Sequence, residues 1–468
     1  MSNTTNKIRP FGMRDKIGYM FGDFGNDFTF ILSSTFLMKF YTDVMGVSAF
    51  IVGIMMMVAR FVDAVTDVTM GQIADRSRPT AKGKFLPWIK RMCGPVALAS
   101  FLMYAVWFKD MPMGFKIVWM FGTYLLWGSI CYTGINIPYG SMASAISPEA
   151  KDRSELSSWR TIGATLASMF IGVVLPLIVY YTDASGNTLI SGPKMAIAGA
   201  VCSICAIICY MICYNLTTER VKIEKKEEKF SFIELLKTLV TSRALIGIVL
   251  AALLLLLAQL TLSAMGQYVF PNYFGSATGV SISNFCANIL VIVLAFIVPA
   301  LASKFGKKEL SAFGGLLGAA VFFIAFVLHT DNLYVFIALY TIGYMGIGFF
   351  NVNCWAMITD VIDDAEVREG ERSDGTFYSV YSFARKLGQA ASSGLSGALL
   401  TLAGWNATVA KSPNSYPEVL DGVYNISCLV PAAGFLLMAL ALIFVYPLGK
   451  KKVDQNIATL KARREGKK

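Results

Sequence analysis

Long apolar segments separated by short polar loops recur along the whole chain. Each segment has about 20 residues or more, the length that an α-helix needs to cross the hydrocarbon core of a bilayer. Hydrophobic residues make up 55% of the 468 positions and charged residues 15%, against about 25% charged in a typical soluble domain. We therefore expect an all-α membrane protein. The twelve predicted spans are residues 17–42, 47–72, 88–109, 113–140, 160–182, 194–216, 243–270, 278–302, 309–329, 333–357, 376–404 and 423–447.

Lysine and arginine collect in the loops after the second, sixth and eighth predicted spans and at the C-terminus, for example in "DRSRPTAKGKFLPWIKR". Because cytoplasmic loops carry the excess of these residues, both termini are predicted to face the cytoplasm. The net charge of +11 follows this topology, so we expect no nucleic-acid binding. We also expect no cleaved signal, since the N-terminus lacks a short apolar core followed by a cleavage site. The predicted location is the inner or plasma membrane.

The longest cytoplasmic connection separates two sets of six spans and contains "SFIELLKTLV", a predicted amphipathic helix on the membrane surface. We therefore predict an N-terminal six-helix bundle (1–216), a linker (217–242), a C-terminal six-helix bundle (243–449) and a basic cytoplasmic tail (450–468). The loops after spans four and ten resemble each other, because each leads through charged residues into Arg-x-x-Gly or Arg-Lys-x-Gly. Parallel six-span repeats are typical of the major facilitator architecture, whose site lies between the halves at mid-membrane.

The second span ends in "ARFVDAVTDVTMG", where Arg60, Asp63 and Asp67 share one helical face by their i, i+3, i+7 spacing. A charge at the centre of a span costs at least about 2.5–3.5 kcal/mol. Two neighbouring carboxylates in a low dielectric need a cation or a proton between them. Asp63 and Asp67 are therefore predicted to bind and release a coupling cation. The alternative is that this stretch lies at the cytoplasmic end and reaches into the loop.

The first span contains "FGDFGNDFTF", in which Asp23 and Asp27 are one helical turn apart. Gly22 and Gly25 are predicted to allow close helix approach. Asp27 lies between phenylalanines, and a carboxylate beside aromatic rings is suited to a sugar, whose hydroxyls and apolar face can both be satisfied. For Asp23, polar packing between helices is an equal alternative.

The fourth span ends in "WGSICYTGINIPYGS", where Tyr132, Thr133 and Asn136 follow at i, i+1 and i+4. These neutral groups can bond sugar hydroxyls, or they can pack between helices. Pro138 predicts a looser helix near Asn136, with backbone carbonyls set free.

Three basic residues lie within or at the ends of later spans. Arg160 begins span five, and Arg385 and Lys386 lie about ten residues into span eleven. Lys386 is predicted to balance the span-two carboxylates, and Arg385 to face an anionic substrate. The alternative is that both only neutralise acidic residues without contacting a ligand.

The motifs "FYTDVMG", "ARFVDAVTDVTMG", "GKFLPW", "NIPYGSMAS" and "YSFARKLGQA" resemble those of the glycoside–pentoside–hexuronide:cation symporter family, over about residues 12–450. The resemblance implies a major facilitator fold of twelve transmembrane helices and sugar import by alternating access. It implies that Asp63 and Asp67 bind the coupling cation, as metal ligands if the ion is Na⁺, with Thr133 and Lys386 beside them. It further implies gating or structural roles for Arg60 and for Asp360 and Arg368, which we place in the loop before span eleven.

The substrate site is predicted from the resemblance and the charged residues together. Its candidates are Asn26, Asp27, Tyr132, Asn136, Arg160, Arg385 and Lys386.

Two departures from the sodium-coupled members of the family bear on substrate and ion. Asn136 stands where they have an aspartate, and Thr66 where they have an asparagine. With Arg385 added, the site is more positive, which favours a glucuronide or another acidic sugar with a proton as the coupling cation. Neutral pentosides or xylosides, galactosides and Na⁺ coupling are the alternatives. We expect a monomer with no cofactor besides the cation.

Other functional classes fit the sequence less well. A channel would need a ring of charges from repeated subunits, and an enzyme would need a catalytic cluster; neither pattern is present. A sugar sensor that does not transport is a further alternative of another class.

Overall fold

The structure is a computed structural model that describes residues 9–221, 241–370 and 374–465. These residues form two compact units. The first unit comprises residues 9–48, 58–181 and 190–221, and the second comprises residues 49–57, 182–189, 241–370 and 374–465. The predicted amphipathic segment "SFIELLKTLV" lies outside the described residues.

Helices dominate the N-terminal part, which also carries a short two-stranded hairpin between two of them. In chain order these are α1 (Met13–Lys39), α2 (Ala49–Arg76), α3 (Leu86–Leu102), α4 (Met113–Leu125), α5 (Thr133–Ile146), α6 (Ala150–Met169), α7 (Leu175–Val179), β1 (Tyr180–Thr182), β2 (Thr188–Ile190) and α8 (Gly192–Leu216). Wider π-helical turns extend three of the helices, at Phe40–Val44, Leu126–Tyr132 and Phe170–Val174.

The described residues of the C-terminal part form helices joined by short loops. Its helices are α9 (Arg243–Tyr268), α10 (Ala277–Phe305), α11 (Lys307–Leu328), α12 (Leu333–Gly343), α13 (Met345–Glu369), α14 (Asp374–Leu402), α15 (Ala407–Lys411), α16 (Pro417–Leu440) and α17 (Lys450–Glu465). Two further π-helical turns follow α9 and α16, at Val269–Tyr273 and Ala441–Val445.

Every predicted span overlaps a helix or consecutive helices, but the last residues of the predicted fifth span, 180–182, form β1. Nine helices of the described part are long and apolar enough to cross a membrane, judged by length and composition alone. The three other predicted spans correspond to α1, to α4 with α5, and to α14. Of these, α1 and α14 carry charged residues within the predicted span. The count of twelve spans stays a prediction.

Small residues on α1 let its neighbours approach closely within the first unit. A Cβ atom at Gly22 would overlap the Tyr139 ring of α5, and one at Gly25 would lie 3.0 Å from the Tyr210 ring of α8. The predicted close approach at these two glycines is therefore confirmed, and it brings polar residues on α1, α5 and α8 within hydrogen-bond distance.

The segment after α8 is fixed to the first unit by a contact that we call the Glu219 clasp. The Glu219 carboxylate accepts backbone N–H bonds from Lys84, Phe85 and Leu86, at 2.7, 2.8 and 2.7 Å. Gly83 has φ +116°, and a Cβ atom there would overlap the carboxylate. The start of the predicted linker therefore packs with the N-terminal helices. The "GKFLPW" motif supplies the glycine and the three backbone N–H groups that this contact needs.

The C-terminal tail folds as α17 and packs on α13 in the second unit. Asn456 is 3% exposed and donates a hydrogen bond of 3.0 Å to Asp364. The Arg463 guanidinium donates to the last carbonyls of α13, those of Glu366 and Val367. A cation is favourable there, because the C-terminus of a helix carries partial negative charge.

Candidate functional site

Two acidic residues of α2 each face one hydroxyl of the neighbouring helix. The Ser129 hydroxyl donates to Asp63 Oδ1 at 2.6 Å, and the Thr133 hydroxyl donates to Asp67 Oδ1 at 2.8 Å. Both pairs have the same i, i+4 spacing, so the contacts repeat one turn apart. Asp63 is 8% exposed and α2 continues to Arg76, so these carboxylates are not part of a solvated loop.

The π-helical turn at Leu126–Tyr132 positions the hydroxyls. It widens the helix by one residue, and such turns are frequent at functional sites. The Thr133 hydroxyl also lies 3.2 Å from the Gly128 carbonyl oxygen. The irregular turn thus comes before Thr133, whereas the expected loosening near Asn136 is not observed, since that residue lies in the regular part of α5.

Arg60 compensates the more buried of the two carboxylates. Its guanidinium lies 3.5 Å from Asp63 Oδ2 and packs over the Phe30 ring at 5.1 Å. Thr66, which lies between the acidic residues, bonds to the carbonyls of its own helix at 3.2 and 3.3 Å. The oxygen atoms that surround this site therefore belong to Asp63, Asp67 and the facing helix. Carboxylate, hydroxyl and carbonyl oxygens can hold a hard cation, and the carboxylates alone can take up a proton.

A second polar cluster lies around α1, α5 and α6. Arg160 Nε donates to Asp23 Oδ1 at 2.9 Å, and the guanidinium packs over the Tyr139 ring at 5.6 Å. The Arg160 side chain is 43% exposed, and its terminal amino groups donate no hydrogen bond to any described residue. Asp23 thus orients Arg160, and the two terminal amino groups of Arg160 stay open to a ligand.

Asn26 lies at the centre of a short chain of hydrogen bonds. The Tyr210 hydroxyl donates to Asn26 Oδ1 at 2.9 Å, and Asn26 Nδ2 donates to Asn136 Oδ1 at 3.3 Å. Asn26 is only 1% exposed, so it lies behind Asn136 with both ends of its amide engaged. Asn136 is half-buried, and its amide nitrogen donates no hydrogen bond within the part of the chain described here.

Asp27 and Tyr132 complete the open polar groups of this cluster. Among the described residues, the half-buried Asp27 carboxylate accepts no hydrogen bond and forms no ion pair. The Tyr132 hydroxyl is also without a hydrogen bond there, and its ring stacks on Phe30 at 5.7 Å between ring centres. Because Phe30 also packs under Arg60, one ring joins this cluster to the paired carboxylates of α2.

The remaining predicted site residues belong to the second unit. Arg385 and Lys386 lie in α14, and Arg385 packs over the Tyr381 ring at 5.8 Å. Asp360 and Arg368 lie in α13, not in a loop as expected, because the helix continues past the predicted end of the span. The functional roles of these four residues stay predictions.

The two predicted gating residues form separate ion pairs within the second unit. Both carboxylate oxygens of Asp360 accept from Lys307 Nζ, at 2.7 and 2.9 Å, beside a cavity of about 130 Å³. Arg368 donates instead to Asp364 at 3.0 Å, within the same helix.

Sequence reasoning missed several polar residues that the structure brings into contact. Ser129 precedes Thr133 by four residues, and this spacing matches that of the two acids of α2, a signal that was available. Tyr210 gave no signal, because a single tyrosine in an apolar span is ordinary. Lys39 and Asp43 form a buried ion pair of 2.7 Å across the first π-helical turn. Asp43 belongs to the "FYTDVMG" motif, and Lys39 directly precedes it.

Comparison with known proteins gives one family match over most of the chain. The family described as MFS/sugar transport protein matches residues 18–450. A glucuronide carrier protein homolog from Escherichia coli (strain K12) is 30% identical over 454 residues, covering 97% of this chain and 96% of that protein. A protein described as an isoprimeverose transporter, from Lactiplantibacillus pentosus, is 29% identical over 92% and 88% of the two chains. A protein described as a sulfoquinovose importer, from Salmonella typhimurium, is 28% identical over 97% and 93%.

Solved structures with the same fold are much more distant in sequence. A bacterial homolog of the human lysosomal transporter Spinster, in an inward-facing conformation, has a TM-score of 0.67 at 11% identity, covering 93% of this chain and 97% of that chain. The inward-open xylose transporter XylE from E. coli has a TM-score of 0.62 at 12% identity, covering 95% and 98%. At such identities the likeness concerns the fold alone.

Proposed function

This chain belongs to the MFS/sugar transport protein family, and we propose that it is a cation-coupled symporter that imports a glycoside, most suitably a glucuronide or another acidic sugar. The family and the fold make it a multi-pass membrane sugar transporter and not an enzyme. The coupling, the ion and the substrate are our proposals, as are its action as a monomer and the cytoplasmic position of both termini.

One observation supports an acidic sugar in particular. Asn136 and Arg160 keep N–H donors open, and the Asp27 carboxylate, which lies within electrostatic range of Arg160, is the open acceptor. A sugar carboxylate can accept from the donors, while sugar hydroxyls donate to Asp27. The relatives named for glucuronide and sulfoquinovose transport agree with an anionic group on the substrate.

A neutral glycoside is the second candidate. Asp27, Tyr132 and the Asn136 amide can bond hydroxyls without any anionic partner, and the relative described as an isoprimeverose transporter favours this alternative. A neutral sugar would leave Arg160 paired only with Asp23.

The coupling cation is proposed to bind at Asp63 and Asp67, with Thr133 beside them. The sequence favours a proton, and Na⁺ is the alternative. Cation uptake would neutralise the carboxylates and lower the cost of enclosing them away from water, and sugar would bind to the cation-loaded form. By linkage, whatever the cation adds to sugar affinity, sugar adds equally to cation affinity. Alternating access would then carry both across the membrane, with Lys386, Asp360 and Arg368 as candidates for balancing or gating.

The test uses purified protein in proteoliposomes that are filled with buffer containing no labelled sugar. We expect labelled phenyl glucuronide to accumulate inside the vesicles when an inward proton or Na⁺ gradient is imposed. Without either gradient, we expect the labelled sugar to reach the same concentration on both sides and not to accumulate. The gradient that drives accumulation identifies the ion. Labelled phenyl xyloside, assayed in parallel, distinguishes the two substrate classes.

The same vesicles separate a carrier from a sensor. Preloading with unlabelled sugar should accelerate entry of labelled sugar, because a carrier exchanges substrate across the membrane. A protein that binds sugar without exchanging it, and without any gradient-driven accumulation, would be a sensor, and the proposed function would be wrong.

A further inference from the structure

We propose that Tyr210 and Asn26 are positioning residues that orient the Asn136 amide, so that the sugar site presents donors and selects a substrate carrying an anionic group. The inference rests on the proposed sugar-transport function and assigns to two buried residues the choice between acidic and neutral sugars. Neither residue needs to contact the substrate.

Hydrogen-bond capacity restricts how the Asn136 amide can be oriented. A side-chain amide has one carbonyl acceptor and one NH₂ group with two donors. Asn136 Oδ1 already accepts from Asn26 Nδ2 at 3.3 Å, which leaves the Asn136 NH₂ group as the open end. Asn26 is oriented in turn by the Tyr210 hydroxyl, which donates to Asn26 Oδ1 at 2.9 Å. The direction of both bonds follows from the tyrosine proton.

Reversing the chain of bonds would be unfavourable. If the Asn26 amide turned over, its NH₂ group would donate to the Tyr210 oxygen, and the tyrosine proton would be left without its present acceptor. Both residues are 1% exposed, so water cannot readily replace that bond. The Tyr210 ring is held close to α1 because Gly25 has no side chain, and a Cβ atom there would lie 3.0 Å from the ring.

The consequence is a donor-rich side of the site. The Asn136 NH₂ group on α5 and the open amino groups of Arg160 on α6 both require acceptors. A carboxylate or sulfonate on the sugar supplies them, because charged acceptors form the stronger hydrogen bonds. A neutral hydroxymethyl group supplies a weaker acceptor and brings its own donor.

The test compares two ligands that differ at one position, phenyl β-glucuronide and phenyl β-glucoside. Half-saturation concentrations are measured by thermal stabilisation of the purified full-length protein at fixed pH and Na⁺ concentration. Tyr210→Phe removes the orienting proton without adding charge. We expect the variant to bind the glucuronide about three- to tenfold more weakly than the unaltered protein does. Its affinity for the glucoside should be unchanged or higher, so that the preference for the glucuronide over the glucoside falls. Tyr104→Phe is the matched control, because the Tyr104 hydroxyl is buried without a hydrogen-bond partner among the described residues.

A second variant strengthens the test by inverting the bonds. In its ionised form, the side chain of Asn26→Asp offers only acceptors, so Asn136 would turn its NH₂ group inward and present its oxygen to the substrate. We expect this variant to lose at least tenfold in preference for the glucuronide, more than Tyr210→Phe does.

The outcomes separate this inference from the proposed function. If Tyr210→Phe weakens both ligands equally, or neither, the orienting role is wrong even though glucuronide binding by the unaltered protein stands. A preference of the unaltered protein for the glucoside would also overturn the inference while leaving sugar transport intact. Absence of both sugar binding and counterflow would refute the proposed function itself.

Discussion

Replacing Glu219 by alanine should destabilise the first unit while leaving every proposed cation and sugar ligand in place. In the Glu219 clasp, one carboxylate accepts three backbone N–H bonds at the start of α3. These N–H groups belong to the two residues before α3 and to its first residue, where no partner exists within the helix itself. The negative charge is also favourable beside the helix N-terminus.

The magnitude follows from the number of bonds and their exposure. Loss of a single helix cap costs about 1 kcal/mol, and hydrogen bonds to a charged group contribute about 1.5–3 kcal/mol each. Glu219 is half-buried, so water replaces part of what is lost. We therefore expect Glu219→Ala to cost about 2–4 kcal/mol, and Gly83→Ala to cost a similar amount, because a Cβ atom would displace the same carboxylate.

The assay is thermal unfolding in detergent, followed by reaction of a fluorogenic maleimide with buried thiols. Cys93 on α3 is 8% exposed and should become reactive early if the start of that helix loosens. Glu149→Gln is the matched control, because Glu149 caps α6 by its backbone position but its side chain makes no capping bond. We expect Glu219→Ala to melt several degrees below this control. Melting within experimental error of the control would refute the assigned role of the clasp.

Three further predictions concern other contacts. Thr133→Ala removes the hydroxyl that donates to Asp67, and it should raise the cation concentration for half-maximal sugar uptake about tenfold. The Thr66 hydroxyl bonds only its own helix, so the control Thr66→Ala should leave that concentration unchanged. Arg160→Lys keeps the charge but loses the planar donor group, so half-saturation for the glucuronide should rise at least about tenfold, and an unchanged value would exclude substrate contact. Lys39→Ala should lower the free energy of unfolding by about 3–5 kcal/mol, because it removes the Lys39 cation from Asp43. The double variant Lys39→Met with Asp43→Leu should recover most of that loss. Equal thermal stability of the unaltered protein, the single variant and the double variant would contradict this prediction.

Hydrophobic periodicity was sufficient to predict the helices, because the length of a membrane span and the spacing of its polar residues are local properties of the sequence. The same spacing placed Asp63 and Asp67 on one helical face, and in the structure both accept from hydroxyls of the neighbouring helix. Sequence could not locate the π-helical turn at Leu126–Tyr132, since a one-residue widening leaves no mark on apolar periodicity. The spacing of Ser129 and Thr133 was visible in the sequence, but the turn that positions the Ser129 hydroxyl was not.

Contacts between distant parts of the chain were harder to predict. The bond between Tyr210 and Asn26 joins residues 184 positions apart, and the Glu219 clasp joins residues more than 130 apart. Nothing in the local sequence identifies such partners, although Gly25 and Gly83 each mark a place where another group approaches closely. The end of α13 was misplaced because its last turns are polar, and ion pairs and the docked α17 extend the helix beyond the apolar run.

The central claim is that the carboxylates of α2 bind the cation whose entry drives sugar uptake. Its most direct test is the accumulation ratio of labelled glucuronide in proteoliposomes containing Asp63→Cys, measured together with counterflow. The account predicts that the variant equilibrates sugar and still exchanges it, but no longer concentrates it under the cation gradient that drives the unaltered protein. Accumulation by Asp63→Cys to the level of the unaltered protein would contradict the account.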